Sequence, residues 1–327
     1  MSFASSLLDW FKEHARPLPW RETRDPYAVW LSEIILQQTR TEQGMPYWLR
    51  FMARWPKVED LAAASEDDVL REWQGLGYYS RARNLHHAAR QIASQGHFPD
   101  TPEGLRTLKG VGDYTAAAIG SIAFGLPMAV VDGNVYRVLA RHYGIETPIN
   151  TGTGKREFAA LAQELLPAGE ASAYNQSIMD LGATVCTPKS PWCSDCPVAD
   201  TCAAFHDGRI ATLPVKLKTT KVKTRRMTYI YIRCNGETAI HQRGAGDIWQ
   251  GLWEVYCAAS DDPLLAAAAQ LKHNVRHVLT HRILLADFYL LETTRRPALP
   301  EGYIWVPEAA FDDYAKPRLM ELLCEMI

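Results

Sequence analysis

The chain has 327 residues, long enough for two cores, and its 47% hydrophobic and 22% charged residues read as an ordinary globular composition. A net charge of −2 excludes a globally basic nucleic-acid binder, so contact with phosphate must come from local basic clusters. No apolar run approaches the ~20 residues of a membrane span, and Asp9, Lys12 and Glu13 break the N-terminal apolar run, which reads as no signal peptide; a cytoplasmic, thiol-reducing location is expected.

Apolar residues recur at helical spacing through WLSEIILQQT, DDVLREWQGL, RARNLHHAARQIAS, YTAAAIGSIAFG, GNVYRVLARHY and REFAALAQELL, with Gly and Pro between them. This predicts an all-helical domain over 1–208. In its first strongly apolar helix, Glu33 has Leu31, Ile34, Ile35 and Leu36 as neighbours. A carboxyl so placed either points to solvent from an amphipathic helix or is desolvated. In the second case it holds its proton to higher pH and becomes a usable general acid. Further on, LKGVGDYTAAAIGSIAFG reads as two helices joined at Gly110, Val111 and Gly112. The glycines free the backbone to turn, which would expose amide N–H groups to an anion such as a phosphate. Asp132 ends an apolar run and precedes the helix GNVYRVLARHY. It is expected to cap that helix and to stay ionised there.

Of 7 cysteines, four fall within 17 residues: Cys186, Cys193, Cys196 and Cys202, at spacing C-x6-C-x2-C-x5-C. Four thiolates suit zinc or an iron–sulfur cluster. Pro188, Pro191 and Pro197 make the segment a poor core element, which argues against unligated packing. Residues 209–226 carry Arg209, Lys216, Lys218, Lys221, Lys223, Arg225 and Arg226 and no acid. They read as a basic linker, either simply solvated or touching phosphate. Beyond it, MTYIYIRC, ADFYLLE and GYIWV are predicted strands and LLAAAAQLK a helix, giving an α+β domain over 227–327.

The cysteine spacing, the hairpin and VVDGNVYRVLAR together resemble the endonuclease III, or helix-hairpin-helix, superfamily of DNA glycosylases. LSEIILQQTR and GLGYYSRARNLHHAA resemble motifs of its MutY-type adenine glycosylases. The resemblance covers about the first 205 residues. It implies one 4Fe–4S cluster on the four cysteines, in a loop where only Lys189 is basic. It implies Glu33 as the acid that protonates adenine and Asp132 as the group that stabilises an oxocarbenium ion, with Tyr114 and Asn134 orienting them. Where lyases of the superfamily have a lysine, this chain has Tyr114, so a monofunctional enzyme is implied. Arg16, Trp20, Arg21 and Gln176 match positions lining the adenine pocket. Tyr78 matches the side chain that wedges into the base stack, and Gln38 matches its counterpart on the adenine side.

GLWEV, at 251–255, resembles a strand of the Nudix fold, but no acid occurs from Pro263 to Ala286 to hold Mg²⁺. A catalytically silent Nudix-like domain is implied, one that recognises 8-oxoguanine. Its contact turn, usually Phe-Ser-His, is here Leu279, Thr280 and His281. The implied partner is double-stranded DNA with an A:8-oxoG or A:G mispair, bound by a monomer in a bacterial-type cytoplasm at the nucleoid.

Overall fold

The computed structural model describes residues 2–218 and 222–327. In chain order the helices are α1 (Phe3–His14), α2 (Pro26–Leu36), α3 (Thr41–Arg54), α4 (Val58–Ala63), α5 (Glu66–Glu72), α6 (Ser80–Gln95), α7 (Pro102–Thr107), α8 (Asp113–Phe124), α9 (Gly133–Tyr143), α10 (Gly152–Glu164), α11 (Ala171–Asp180) and α12 (Ala203–His206). Strands β1 (Lys223–Cys234), β2 (Glu237–Gln242), β3 (Trp253–Ala258), β4 (Ala269–Val278), β5 (Arg282–Thr293) and β6 (Tyr303–Pro307) follow, and α13 (Arg318–Cys324) comes last. The periodic segments named above fall on α2, α5, α6, α8, α9 and α10. No described helix is long and apolar enough to cross a membrane.

By its internal contacts the chain forms two units: Met1–Gly44, Trp55–Glu59 and His87–Lys218 in one, Met45–Arg54, Asp60–His86 and Thr219–Ile327 in the other. In the first, α2 starts at Asp25, whose side chain accepts from the Tyr27 N–H at 3.0 Å, with Pro26 at the first helical position. Every residue from Tyr27 to Ile35 is buried. A helix apolar on all sides belongs in a core, and α2 packs there against α8. Helix α9 is capped at its N-terminus by Asp132 and closed by Gly144, at φ 66°. Helix α11 runs on into a π-helical turn, Leu181–Val185, that leads to the first clustered cysteine.

The second unit is a six-stranded sheet in the order β4-β5-β1-β3-β2-β6, with β1 and β5 parallel and the other pairs antiparallel. It takes in helical segments from early in the chain. The Gln74 amide donates to Glu321 at 2.6 Å and Arg83 to the Gln250 carbonyl at 2.6 Å, while Gln242 donates to Asp67 at 2.9 Å.

Two expectations are corrected. LLAAAAQLK is not a helix. Pro263–Ala266 make one 3-10 turn, capped by Asp262, and β4 then pairs with β5. Leu271 and Val275 stand four apart and both pack on the sheet core, because register shifts between Gln270, Lys272 and Val275 insert extra residues. Bulges gave this strand a helical spacing, and pairing outweighed alanine's helix propensity. The basic stretch, too, is anchored in its described part. Arg209 pairs with Glu146 at 2.9 Å, Leu217 exchanges backbone bonds with the Asn150 side chain at 2.8 and 2.9 Å, and β1 already includes Lys223, Arg225 and Arg226. Lys221 lies outside the described residues.

A buried charge network ties this sheet together. Glu254 accepts from the Tyr229 hydroxyl at 2.9 Å and from Arg243 at 2.5 Å. Arg243 also donates to Asp247 at 2.7 Å, and Asp247 in turn accepts from Arg225 at 2.7 Å and Arg282 at 3.2 Å. Replacing Glu254 by Ala leaves Arg243 only Asp247 as its ionic partner and removes the acceptor of the Tyr229 hydroxyl. A loss of ~1–3 kcal/mol is expected, read as a lower urea midpoint for the C-terminal unit.

Candidate active site

Apolar α2 carries Glu33 inward, where it is 8% exposed and lines a cavity. The Tyr114 hydroxyl, from the first turn of α8, donates to Glu33 Oε2 at 2.6 Å. Burial pushes the Glu33 carboxyl up from 4.5 to about 7, assisted by the charge of Asp132 and opposed by the Tyr114 bond and by Arg21. The Tyr114 phenol is itself pushed well above its usual value by burial and by both carboxyls, so it remains a neutral donor.

Asp132 sits at the start of α9. Its Oδ1 accepts from the Asn134 and Val135 N–H groups, both at 2.8 Å, and its Oδ2 from the Asn134 amide at 2.7 Å. The helix terminus alone would hold this carboxyl low. Burial instead raises it, against those three bonds and the charge of Arg137. Arg137 then bonds Asn134 Oδ1 at 2.8 Å, the Gly182 carbonyl at 2.6 Å and the Cys186 carbonyl at 2.6 Å. Gly182 permits this approach, since a Cβ there would stand 2.5 Å from that of Asn134.

Glu33, Tyr114, Asp132 and Asn134 line one cavity of about 620 Å³ with Arg16, Trp20, Arg21 and Gln176. A buried carboxylate, Asp180, accepts from both arginines. Neither Asp180 nor Arg137 was singled out in the sequence. Asp180 carried the signal that marked Glu33, a lone acid in an apolar run (Ile178, Met179, Leu181).

Gln38 is not in this cavity. It follows α2, exposed, at φ 57°, while Gln37 beside it donates to Thr115 at 3.2 Å. In the hairpin only Gly110 has a positive φ, 82°. Gly112 is in extended conformation as the N-cap of α8, and a Cβ there would meet nothing within 4 Å. The expectation that Gly112 also serves the turn is therefore corrected, because nothing inside the fold requires a glycine there. Val111 is buried between them.

Tyr78, Leu279, Thr280 and His281 lie in the second unit, along a cavity of about 610 Å³ that also includes Arg83, His277 and Arg282. Tyr78 is 44% exposed at φ 47°, and its hydroxyl is hydrogen-bonded to that of Thr280. Thr280 and His281 are exposed at the turn from β4 to β5. Leu279 is half-buried against the sheet core, and the exposed apolar side chain at this turn is Val278, 55% accessible.

The four clustered cysteines are free thiols around one small pocket walled by Val185, Pro191, Trp192, Phe205 and Ile210. Buried Arg141 donates to the Thr187 carbonyl at 2.8 Å and approaches Cys186 Sγ at 3.4 Å. Burial pushes the Cys196 thiol up to about 11 and raises Cys193 and Cys202. Among the described residues, no three His, Cys, Asp or Glu side chains are gathered to hold a single ion.

The raised Glu33 has a stability consequence with a definite sign. The unfolded chain loses this proton near 4.5, the folded chain near 7. Between those pH values the folded state holds more protons, so its stability falls as pH rises, by up to ~3 kcal/mol for this group. Glu33→Gln should therefore unfold later than wild type at pH 8, with the difference closing by pH 4, in denaturant titrations at the two pH values.

Residues 31–167 match the model of the HhH-GPD superfamily base excision DNA repair proteins, and residues 228–326 match that of the NUDIX domain. The chain is 44% identical over 227 residues to the adenine DNA glycosylase of Mus musculus, a match covering 65% of this chain and 44% of that protein. This chain thus spans less than half of the mouse relative's length. The adenine DNA glycosylase of Buchnera aphidicola from Schizaphis graminum is 31% identical over 290 residues, covering 88% of this chain and 83% of the relative. Among solved structures, a thermostable thymine-DNA glycosylase superimposes with a TM-score of 0.58 at 30% identity, over 63% of this chain and 95% of that one. On the Buchnera match, together with the two domain models, the chain belongs to the adenine DNA glycosylase family.

Proposed function

We propose that the chain is a monofunctional adenine DNA glycosylase of base excision repair, hydrolysing the N-glycosidic bond of adenine opposite 8-oxoguanine or guanine in duplex DNA. One observation carries the reading: two carboxyls share a cavity, one raised to about 7 and bonded to a tyrosine hydroxyl, the other capping a helix start. Adenine is unreactive inside the duplex, so it is flipped into the cavity. Trp20, Arg16, Arg21 and Gln176 hold it there. Glu33, raised to about 7, gives its proton to the base at N7. The glycosidic bond breaks with its electron pair leaving on the base, and the sugar becomes an oxocarbenium ion. The Asp132 carboxylate, held by Asn134, stabilises that cation. Water adds to C1′ and returns a proton to Glu33. Tyr114 has no amine with which to form an imine with the sugar.

Other parts serve the DNA. Gly110, Val111 and Gly112 bring the α8 N-terminus to a backbone phosphate, which explains a glycine at 112 that internal packing does not require. Tyr78, at φ 47°, wedges into the base stack beside the lesion, and Gln38, at φ 57°, serves on the adenine side. Thr280 and His281, with Leu279 packed behind them, face the 8-oxoguanine. Cys186, Cys193, Cys196 and Cys202 hold one 4Fe–4S cluster. Four thiols around one apolar-walled pocket fit such a group. When bound it supplies a cross-link that shapes the loop from Cys186 to Cys202. The glycosylase domain is 1–208 and the Nudix-like recognition domain 227–327, with the last residues of the 209–226 stretch already in β1; the protein acts as a monomer in a bacterial-type cytoplasm.

Adenine release is expected from A:8-oxoG and A:G duplexes, with A:C and G:T duplexes as controls. Release of thymine from G:T in place of adenine would overturn the substrate assignment. Under single turnover, Glu33→Gln and Asp132→Asn should each lose ~10²–10⁴ in rate. Asn keeps the two capping bonds of Asp132 Oδ1 but loses the bond from the Asn134 amide, so Asp132→Asn should stay folded with a loss of ~1–3 kcal/mol, which separates its chemistry from its capping. Borohydride should trap little covalent complex, and strong trapping would show an amine doing lyase chemistry. Purified protein should contain about four irons per chain, and Cys196→Ser should lose iron together with DNA affinity; zinc at one per chain would sink the cluster.

A further inference from the structure

Asp180 ends α11 with its carboxylate fully buried, 0% exposed. Its Oδ1 accepts from Arg16 Nε at 2.7 Å and from Arg21 Nη2 at 2.8 Å. Its Oδ2 accepts from Arg21 Nη1 at 2.7 Å and from the Arg16 backbone N–H at 3.1 Å. Arg21 is thus gripped by both its terminal nitrogens, and its Nη1 also donates to the Arg16 carbonyl at 3.1 Å. Such fork contacts fix a guanidinium in plane and direction. Both arginines line the cavity that Glu33 lines, and the charge of Arg21 reaches Glu33. Here two cations share one carboxylate. Without it, the cavity would face Glu33 with a doubly positive wall of low dielectric, where a charge acts over several ångströms.

We propose that Asp180 is a positioning residue of this cavity, which aims Arg16 and Arg21 along its wall and neutralises part of the charge they present to Glu33. The carboxylate suits that task. Burial works against its ionisation, but the bonds from Arg21 and Arg16 prevail and hold it below the usual carboxylate range, so it stays charged while Glu33 titrates. The other groups facing Glu33 are Tyr114 from α8, Asp132 from the start of α9 and Arg21. Arg40, Glu42 and Arg137 also line the cavity. The first two are exposed and screened, and Arg137 is engaged by Asn134 and two carbonyls.

The inference rests on the glycosylase reading for its kinetic readout, but not for its direct one. In the full chain labelled with 13C-glutamate, the Glu33 carboxyl is assigned by its loss in Glu33→Gln. Its midpoint is expected to fall by on the order of one unit in Asp180→Asn. The alkaline limb of single-turnover adenine release from an A:8-oxoG duplex should move down by the same amount. A purely structural role would lower the rate and leave both midpoints in place, and that result overturns the inference. If wild type releases no adenine while the Glu33 midpoint still shifts, the substrate reading fails and this one stands. Should Asp180→Asn not fold, Arg21→Gln tests the same balance with the opposite sign: one cation fewer beside Asp180 must raise the Glu33 midpoint, and an unchanged or lower value refutes the proposal.

Discussion

Two carboxyls in one cavity must divide their protons unequally, and the architecture of the helical unit follows from how this is arranged. Glu33 rides on a helix buried all round, so its charge is costly and it keeps a proton near pH 7, with the Tyr114 hydroxyl against it. Asp132 is nearly as buried, but it sits where a helix begins, and three N–H donors converge on it. The same desolvation acts on both groups. Three hydrogen bonds to the charged form oppose it at Asp132, and the single Tyr114 bond opposes it at Glu33.

The second consequence concerns what holds Asp132. Its capping bonds come from the backbone of α9, and its other oxygen is held by Asn134. Asn134 is in turn held by Arg137, which bonds the carbonyls of Gly182 and Cys186. A chain of bonds therefore runs from the cavity to the first residue of the cysteine loop. The cysteine loop bears on the cavity through this chain of bonds and supplies only Pro188 to its lining. In the sheet unit Asp247 plays a similar tying role, joining Arg225 at the start of β1, Arg243, and Arg282 next to the Thr280–His281 turn.

Much of the site was legible in the sequence where a residue broke a local rule. Glu33 and Asp132 are acids set against apolar runs, the cysteine spacing is too dense for chance, and Gly110 announces a positive φ that the backbone adopts. Asp180 breaks the same rule as Glu33, but an acid in an apolar run does not name its partners; Arg16 and Arg21 lie about 160 residues away in sequence. Arg137 resembles any helical arginine until its three acceptors are seen. Strand β4 was misread because its bulges give Leu271 and Val275 a helical spacing, and only pairing with β5 distinguishes the two.

The sequence by itself located six of the helices, the Asp132 cap, the change of texture beyond the cysteines and Glu33 and Asp132 as acids set against apolar runs, since propensity, capping and hydrophobic period are local properties. Tertiary structure decided the rest. It raised Glu33, by closing α2 in a core, and it set Asp180 between two arginines. It left Gln38 outside the cavity and took the early helical segments 45–54 and 60–86 into the sheet unit. Each of these depends on desolvation or on contacts between residues distant in sequence, and neither is encoded in any short window of the chain.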